Sequence, residues 1–224
     1  MFVLTIDQEG SRRLGDRVEG LLSDLEPHTR PGRGVIRRFE RTVGDEVQAV
    51  LSDPEHVVDL TLTVLRWGGW SVGVGCGPVA EPLPVSARAG TGQAFVLARA
   101  AVEAAKSRAR LVPLAVRGER PWPAQEAEAV LTLLAAVAAR RTPAGWDVVD
   151  AMAAGGPLVR QDEVAHTLGI TQQAVSQRLR TALWAEERAA RPAAARLLGL
   201  AASADEDDRV RPGRADTEQG EEQP

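Results

Sequence analysis

The sequence contains a single cysteine, Cys76, and so cannot form a disulfide bond within the chain. Scarcity of cysteine is typical of proteins that stay in a reducing compartment, and we therefore expect a cytoplasmic protein. It also excludes a cysteine-rich zinc site. The three histidines, His28, His56 and His166, are too scattered along the chain to form a ligand motif.

A basic leader and a long apolar run are missing as well. Residues 1–13, MFVLTIDQEGSRR, lack the basic start of a signal peptide and enter a strand pattern at once. The apolar stretch Val130–Ala139 has about half the length that a bilayer requires. We therefore expect no membrane partner.

Positive charge is not in excess, and lysine is almost absent. Lys106 is the only lysine, and the formal net charge is −4. This balance argues against a generally basic nucleic-acid coat, although a local basic face remains compatible with it. With 224 residues, the chain can hold one large domain or two small ones.

The composition changes near residues 117–123, RGERPWP, which carry charges, a glycine and two prolines, as linkers often do. Before this segment, strand-like runs alternate with helical stretches, and after it every periodic pattern is helical. We predict a first domain at 1–118, a linker at 119–123, a helical domain at 124–200 and a disordered acidic tail at 201–224.

Hydrophobic periodicity predicts the order β-α-β-β-α-β-α-β in the first domain. The predicted segments are the strand Phe2–Ile6, the helix Arg12–Leu25, the strands Val35–Thr42 and Glu46–Leu51, the helix Pro54–Arg66, the strand Ser71–Gly77, the helix Gly92–Arg108 and the strand Leu111–Val116. This order favours an α+β fold of the ferredoxin-like type with one extra unit, followed by an all-α domain.

The strongest functional motif is a predicted helix-turn-helix at 161–184, whose residues 161–180, QDEVAHTLGITQQAVSQRLR, are typical of that motif. Gly169 marks the bend, because glycine adopts a positive φ without strain. Thr171 is a suitable N-cap for the second helix. The apolar positions expected to face a core are Val164, Ala165, Leu168, Val175, Leu179 and Leu183.

The other face of the second helix is polar and carries no acid. Glutamine can contact adenine with two hydrogen bonds, and arginine can do the same with guanine. The segment TQQAVSQ resembles the recognition helix of lambdoid phage repressors. The alternative is an ordinary helical hairpin with a glycine turn. The predicted DNA contacts are Thr171, Gln172, Gln173, Ser176, Gln177, Arg178 and Arg180.

Two aspartates of the first domain stand where a metal site could form. Asp7 ends the first strand and Asp45 lies at the tip of the predicted hairpin, and in a βαββ unit these strands are neighbours. Carboxylates suit Mg²⁺, and the N–H groups of Gly10 and Ser11 at a helix start suit a phosphate. The alternative is that both aspartates only form turns.

Four segments of the first domain resemble, in order, the motifs of the nucleotidyl-cyclase and GGDEF superfamily, which has a palm-like fold. They are TIDQEGS at 5–11, RTVGDEV at 41–47, VGVGCGPV at 72–79 and FVLARAAVEAAK at 95–106. Combined with a C-terminal helix-turn-helix, they resemble the SatD-like bacterial family. The resemblance implies Mg²⁺ as a cofactor, bound by Asp7, Asp45 and Glu46. It implies nucleotide contacts at Gly10, Ser11, Arg41, Gly44 and Arg99.

The chain departs from the cyclase pattern at several positions. Val43 replaces a glycine of the hairpin, Phe95 stands where class III cyclases have an asparagine, and Arg41 stands where they have a purine-selecting lysine. Losing positioning groups implies metal and nucleotide binding without turnover. We expect a transcriptional regulator that binds DNA and senses a nucleotide, and the alternative is a Mg²⁺-dependent nucleotide-converting enzyme.

A homodimer is also expected, because helix-turn-helix proteins that read palindromic sites bind as dimers. An apolar stripe in the predicted helix at 124–141 can supply the interface or pack on neighbouring helices of the same chain. Its members are Leu131, Leu134, Val137 and Ala138.

Overall fold

A computed structural model describes residues 1–29, 34–156 and 158–203. Its fold is α+β, as predicted, and the predicted acidic tail lies outside the described residues beyond Ser203. In chain order the elements are β1 (Phe2–Gln8), α1 (Ser11–Leu14), α2 (Val18–Leu25), β2 (Val35–Arg41), β3 (Glu46–Leu51), α3 (Pro54–Trp67), β4 (Trp70–Cys76), α4 (Gln93–Ala105), β5 (Leu114–Gly118), α5 (Pro121–Ala139), α6 (Pro143–Ala154), α7 (Gln161–Leu168), α8 (Gln172–Thr181) and α9 (Trp184–Ala202).

The strands form a five-stranded mixed sheet in the order β2-β3-β1-β4-β5. β1 lies antiparallel to both β3 and β4, and β2 and β3 form an antiparallel hairpin. β5 joins β4 in parallel after the crossover through α4. Because β1 is central, its end at Asp7 lies beside the start of β3.

Alternation along β1 separates the two faces of the sheet. Phe2, Leu4 and Ile6 belong to the main apolar core, which also contains buried residues of α2, α3, α5 and α9. Val3 lies on the opposite face, in a smaller cluster with alanines of α4. Asp7 shares this second face, so α4 determines what surrounds its carboxylate.

Two glycines of β4 allow α4 to lie directly on the sheet. A Cβ atom at Gly73 would come 2.3 Å from the backbone nitrogen of Val102, and one at Gly75 would come 2.1 Å from the carbonyl oxygen of Ala94. No side chain fits at these distances, so glycine sets the separation of helix and sheet. This close packing places Lys106, which follows α4, next to Asp7.

The helices α5 and α9 complete the core of the sheet instead of belonging to a separate helical domain. Leu131 and Leu134 of α5 and Leu198 of α9 are buried in the same cluster as the strands. Residues 121–123 of the predicted linker form the first turn of α5. Of the apolar stripe considered for a dimer, Leu131, Leu134 and Ala138 are buried within the chain, so intrachain packing accounts for them.

A second, smaller core holds together α6, α7 and α8, which we call the helical lobe (residues 143–181). The buried members of this core are Val148, Val149, Val164, Ala165, Val175, Leu179 and Ala182, the last of which directly follows α8. Leu168 packs against this core from a half-buried position. The lobe therefore has its own apolar support, and α9 runs from it to the sheet.

Leu183 contradicts the predicted buried stripe. It is 42% exposed and adopts a left-handed conformation with φ 51°, which interrupts the helical backbone between α8 and α9. The second helix thus ends before Leu183. Pro192 lies inside α9.

The predicted helix at 12–25 is also interrupted. Gly15 adopts φ 75° and ψ 176°, and α2 starts at Val18. The Gln8 side chain stabilises the break, since its Nε2 donates to the Gly15 carbonyl at 2.6 Å and its Oε1 accepts from the Arg17 N–H at 2.8 Å. Leu14 is consequently 53% exposed.

Candidate nucleic-acid interface and nucleotide cleft

The turn between α7 and α8 is held by backbone hydrogen bonds. Gly169 adopts φ 63° and ψ 33°, the left-handed conformation that glycine tolerates best. The Ile170 N–H donates to the Ala165 carbonyl at 3.0 Å, and the Gly169 N–H donates to the His166 carbonyl at 3.3 Å. This pair of bonds is the Schellman arrangement, which satisfies the last carbonyls of α7 and fixes the direction of the chain.

Thr171 caps α8, as predicted from the sequence. Its hydroxyl accepts a hydrogen bond from the Ala174 N–H at 3.1 Å. Val175 and Leu179 are buried against the lobe core, so the helix is anchored along one side. The opposite side of α8 is therefore presented outward by a rigid local structure.

The polar face of α8 is accessible. Gln172, Gln173, Gln177 and Arg180 are exposed, and Ser176 and Arg178 are half-buried. Through their side chains these six residues make no hydrogen bond or ion pair with the part of the chain that the structure describes. Their donors and acceptors are consequently available to a partner.

The acids before α8 are partly neutralised. The Arg160 guanidinium lies 3.0 Å from Asp162, at the start of α7. This ion pair holds the pKa of Asp162 below its usual value. It reduces the repulsion that an acid near the α8 face would exert on a polyanion.

A cleft of about 390 Å³ adjoins the outer face of α8. Gln177 and Arg178 line it from α8, and Arg140 and Thr142 line it from the connection between α5 and α6. Arg140 is exposed and was not predicted as a site residue. The sequence signal that would have found it is the Arg-Arg pair that closes α5, but its proximity to Arg178 depends on the tertiary fold.

In the first domain, the structure brings Asp7 together with Glu46 and Lys106. Asp7 and Glu46 are directly paired across β1 and β3. The Lys106 Nζ lies 3.0 Å from Asp7 Oδ2, and the Asp7 side chain is only 14% exposed. Burial raises the pKa of Asp7, the Lys106 ammonium opposes that rise, and the negative charges of Asp45 and Glu46 add to it.

Glu46 is held by two side chains on the same face. The Thr42 hydroxyl donates to Glu46 Oε1 at 2.7 Å, and Arg99 Nη2 lies 3.7 Å from the same oxygen. The backbone carbonyl of Asp45 accepts from the Gln8 N–H at 3.3 Å. Asp7, Asp45, Glu46 and Arg99 thus lie at one end of the sheet.

Of the remaining predicted nucleotide contacts, Arg41 lies on the other face of the sheet from this group. Arg41 is paired with Val47, whose side chain belongs to the opposite face, and the guanidinium binds both oxygens of Asp16 at 2.6 Å. Ser11 begins α1, which has only four residues. Gly44 lies exposed at the hairpin tip with φ 62°.

Two clefts flank α4. The Asp7 cleft, about 470 Å³, is lined by Asp7, Gly10, Lys106 and Arg108 among others. The Arg99 cleft, about 430 Å³, is lined by Thr42, Val43, Phe95 and Arg99 among others.

Lys106 was not predicted as a site residue, although it is the only lysine and closes the segment 95–106. Within residues 1–29, 34–156 and 158–203, no three His, Cys, Asp or Glu side chains lie close enough together to hold a metal ion by themselves.

No helix in the described part of the chain combines the length and apolar character needed to cross a membrane. In comparisons with known proteins, no family model matches this chain, and neither a curated protein nor a solved structure gives a match.

Proposed function

We propose that this chain is a cytoplasmic DNA-binding regulator in which α7 and α8 form a helix-turn-helix and α8 enters the major groove. One observation carries the proposal: the polar face of α8 is exposed and unpaired, although the helix is capped and anchored on its other side. Glutamine and arginine are side chains that contact base edges with two hydrogen bonds, and a recognition helix presents such side chains from its outer face.

The residues of α8 take different roles in this proposal. Gln172, Gln173 and Ser176 lie in the early turns, which reach base edges in helix-turn-helix complexes. Gln177 and Arg180 extend the same face. Arg178 lies beside Arg140 in the 390 Å³ cleft, and this pair suits phosphate oxygens. Thr171 contributes through its cap and its exposed position at the start of the helix.

In the same proposal, the first domain is a ferredoxin-like, palm-like module that binds Mg²⁺ and a nucleotide. The strand order β2-β3-β1-β4 and the approach of Lys106 to Asp7 support it. One or two carboxylates among Asp7, Asp45 and Glu46 would hold Mg²⁺, and phosphate oxygens and water would complete its shell. Gly10 and Arg99 line the adjoining clefts, whereas Arg41 is engaged by Asp16. This combination of domains is the one that the resemblance to the SatD-like family implies.

The test is selection of bound fragments from source genomic DNA, followed by fluorescence anisotropy on the enriched sequence. We expect Gln173→Ala and Arg180→Ala to weaken specific binding by about fivefold to a hundredfold, the cost of one lost base contact. Arg140→Ala and Arg178→Ala should weaken binding to all sequences and reduce the salt slope by about one.

The control is Gln125→Ala, an exposed glutamine of α5 that leaves α8 unchanged. It should bind DNA as the wild type does. If selection enriches no sequence and the α8 variants bind like Gln125→Ala, the DNA-binding proposal is wrong. Sedimentation of the complex would measure whether two copies occupy a palindromic site, as proposed for a homodimer.

A second candidate function is a Mg²⁺-dependent nucleotide-converting enzyme. The favouring observation is that Asp7 and Lys106 form an ion pair at the Asp7 cleft, and that Glu46 is the strand partner of Asp7 on β3. Incubation with each nucleoside triphosphate and Mg²⁺ or Mn²⁺ tests it. The enzyme would be favoured if Asp45→Asn abolishes the turnover and Asp24→Asn, at an exposed position on α2, leaves it unchanged. Unchanged triphosphates in every mixture would exclude those reactions.

A further inference from the structure

A fourth cleft lies between α3 and the helical lobe, and we call it the interlobe cleft. It measures about 660 Å³, within the range of small-molecule sites. Its walls come from α3, α6 and the beginning of α9. It is thus separate from both clefts beside α4 and from the outer face of α8.

Aromatic rings are concentrated in this cleft. The chain has five tryptophans, and Trp67, Trp146 and Trp184 all line the interlobe cleft. Trp146 is already covered by guanidinium groups, with Arg66 3.6 Å and Arg141 4.7 Å from the ring centre. Trp67 is 37% exposed to solvent, and Trp184 is half-buried. A planar aromatic group can gain contact area on these two rings.

The interlobe cleft is lined by four arginines and three acids, so one arginine has no matching carboxylate. The acids each contact an arginine: Asp150 binds Arg66 at 2.6 Å, Asp59 binds Arg191 at 2.5 Å, and Glu187 binds both Arg191 and the buried Arg141.

Arg188 lies 5.5 Å from the Trp184 ring and has no carboxylate partner in the described residues. A ligand that matches this set therefore needs one negative charge near Trp184.

We propose that the interlobe cleft binds a planar aromatic anion, such as an aromatic carboxylate. Its carboxylate pairs with Arg188, and its ring lies against Trp184 and Trp67. A charge-assisted bond to a guanidinium is stronger than a neutral hydrogen bond, so the anion contributes to affinity as well as orientation. Binding here does not depend on DNA binding or on metal binding at Asp7.

The indole N–H resonances of the full-length, ¹⁵N-labelled protein provide the test, because each tryptophan reports on its own surroundings. The probe is 2-naphthoate. We expect the resonances of Trp67 and Trp184 to shift in a saturable manner, with Trp146 following. Trp70, which is buried in the sheet, and Trp122, which is 48% exposed on α5, serve as internal controls and should stay in place.

Two further probes separate shape from charge. Naphthalene-2-methanol keeps the ring without the charge, and cyclohexanecarboxylate keeps the charge without the aromatic ring, so both should bind more weakly than 2-naphthoate. Arg188→Gln should weaken 2-naphthoate binding by about tenfold, the scale of a lost charge-assisted bond. Arg196→Gln, an exposed arginine further along α9, should leave it unchanged.

Three outcomes would overturn the proposal. The first is that no indole resonance shifts up to the solubility limit of 2-naphthoate. The second is that Trp122 shifts as much as Trp184, which indicates binding to exposed aromatic surface in general. The third is that Arg188→Gln and Arg196→Gln bind 2-naphthoate equally, which removes Arg188 from the site.

Discussion

Arg141 and Glu187 form an ion pair in which both side chains are almost completely buried, with exposures of 2% and 3%. Arg141 Nε also donates to the Ala182 carbonyl at 2.8 Å, and Glu187 accepts from Arg191 as well. The pair joins the chain between α5 and α6 to the first turn of α9. It therefore holds the segment that leads into the helical lobe against the helix that completes the sheet core.

Replacing Glu187 with alanine should lower the free energy of unfolding by about 3–5 kcal/mol, because it leaves the Arg141 guanidinium buried without its partner. Urea denaturation measures the loss. The matched control is Glu186→Ala, at an exposed neighbour in the same turn, which should change stability by about 0.5 kcal/mol or less. Equal effects of the two substitutions would contradict a structural role for the ion pair.

Gly75→Ala should destabilise the protein strongly. The added Cβ would come 2.1 Å from the Ala94 carbonyl oxygen and 2.4 Å from the Ala98 nitrogen, so α4 would have to move off β4. Thermal unfolding should show a lower Tm. The control is Gly20→Ala in α2, where a Cβ meets nothing within 4 Å and the substitution should stabilise the helix by about 0.5–1 kcal/mol. A normal Tm for Gly75→Ala would contradict the close packing.

The pH dependence of stability should reveal the buried carboxylate of Asp7. Since burial raises its pKa above 3.8, the folded protein holds a proton that the unfolded chain has already released. The free energy of unfolding of the wild type minus that of Asp7→Asn should therefore fall as the pH rises from 3.8 through the raised pKa of Asp7. Above that pKa, this difference should stay level. Urea denaturation across this range measures the difference, and a rising difference would contradict the assignment.

Mg²⁺ should raise the Tm of the wild type if Asp7 is a ligand, since an ion that binds the folded state stabilises it. The Asp7→Asn variant should show no rise in Tm with Mg²⁺. In the wild type, the rise should be smaller at a pH where Asp7 is protonated. Asp24→Asn, at an exposed aspartate of α2, should retain it. A response that survives in Asp7→Asn would place the ion elsewhere.

Cys76 should react with thiol reagents only when the protein unfolds. Burial raises the pKa of this thiol to about 12, so the reactive thiolate is negligible near neutral pH. Absorbance after addition of Ellman's reagent should show no reaction in buffer and one thiol per chain in denaturant. Immediate reaction in buffer would show that β4 opens readily in the native state.

Local chemistry explains what could be predicted. The strand Glu46–Leu51 was predicted with its observed bounds, because apolar residues run between clear turn signals. The α7–α8 turn followed from Gly169 and Thr171, whose effects reach only a few residues. The break at Gly15 was missed because Gln8, from another element, supplies its hydrogen bonds.

Long-range placement explains most of what could not be predicted. The face on which Arg41 lies depends on its register with Val47, and a shift of one residue would have moved it to the side of Glu46. Arg141 and Glu187 are 46 positions apart, so nothing local pairs them. The apolar stripe of α5 predicted burial but could not identify the sheet as its partner.

The path of α9 has a consequence for the order in which the protein can fold during synthesis. Its end packs at Gly118, where a Cβ would come 2.8 Å from the Ala201 carbonyl oxygen, and Ala194 and Leu198 close the apolar face of the sheet. Strands made first on the ribosome therefore keep part of that face uncovered until α9 emerges. A chaperone that shields apolar surface should bind nascent chains stopped before Trp184 and release longer ones.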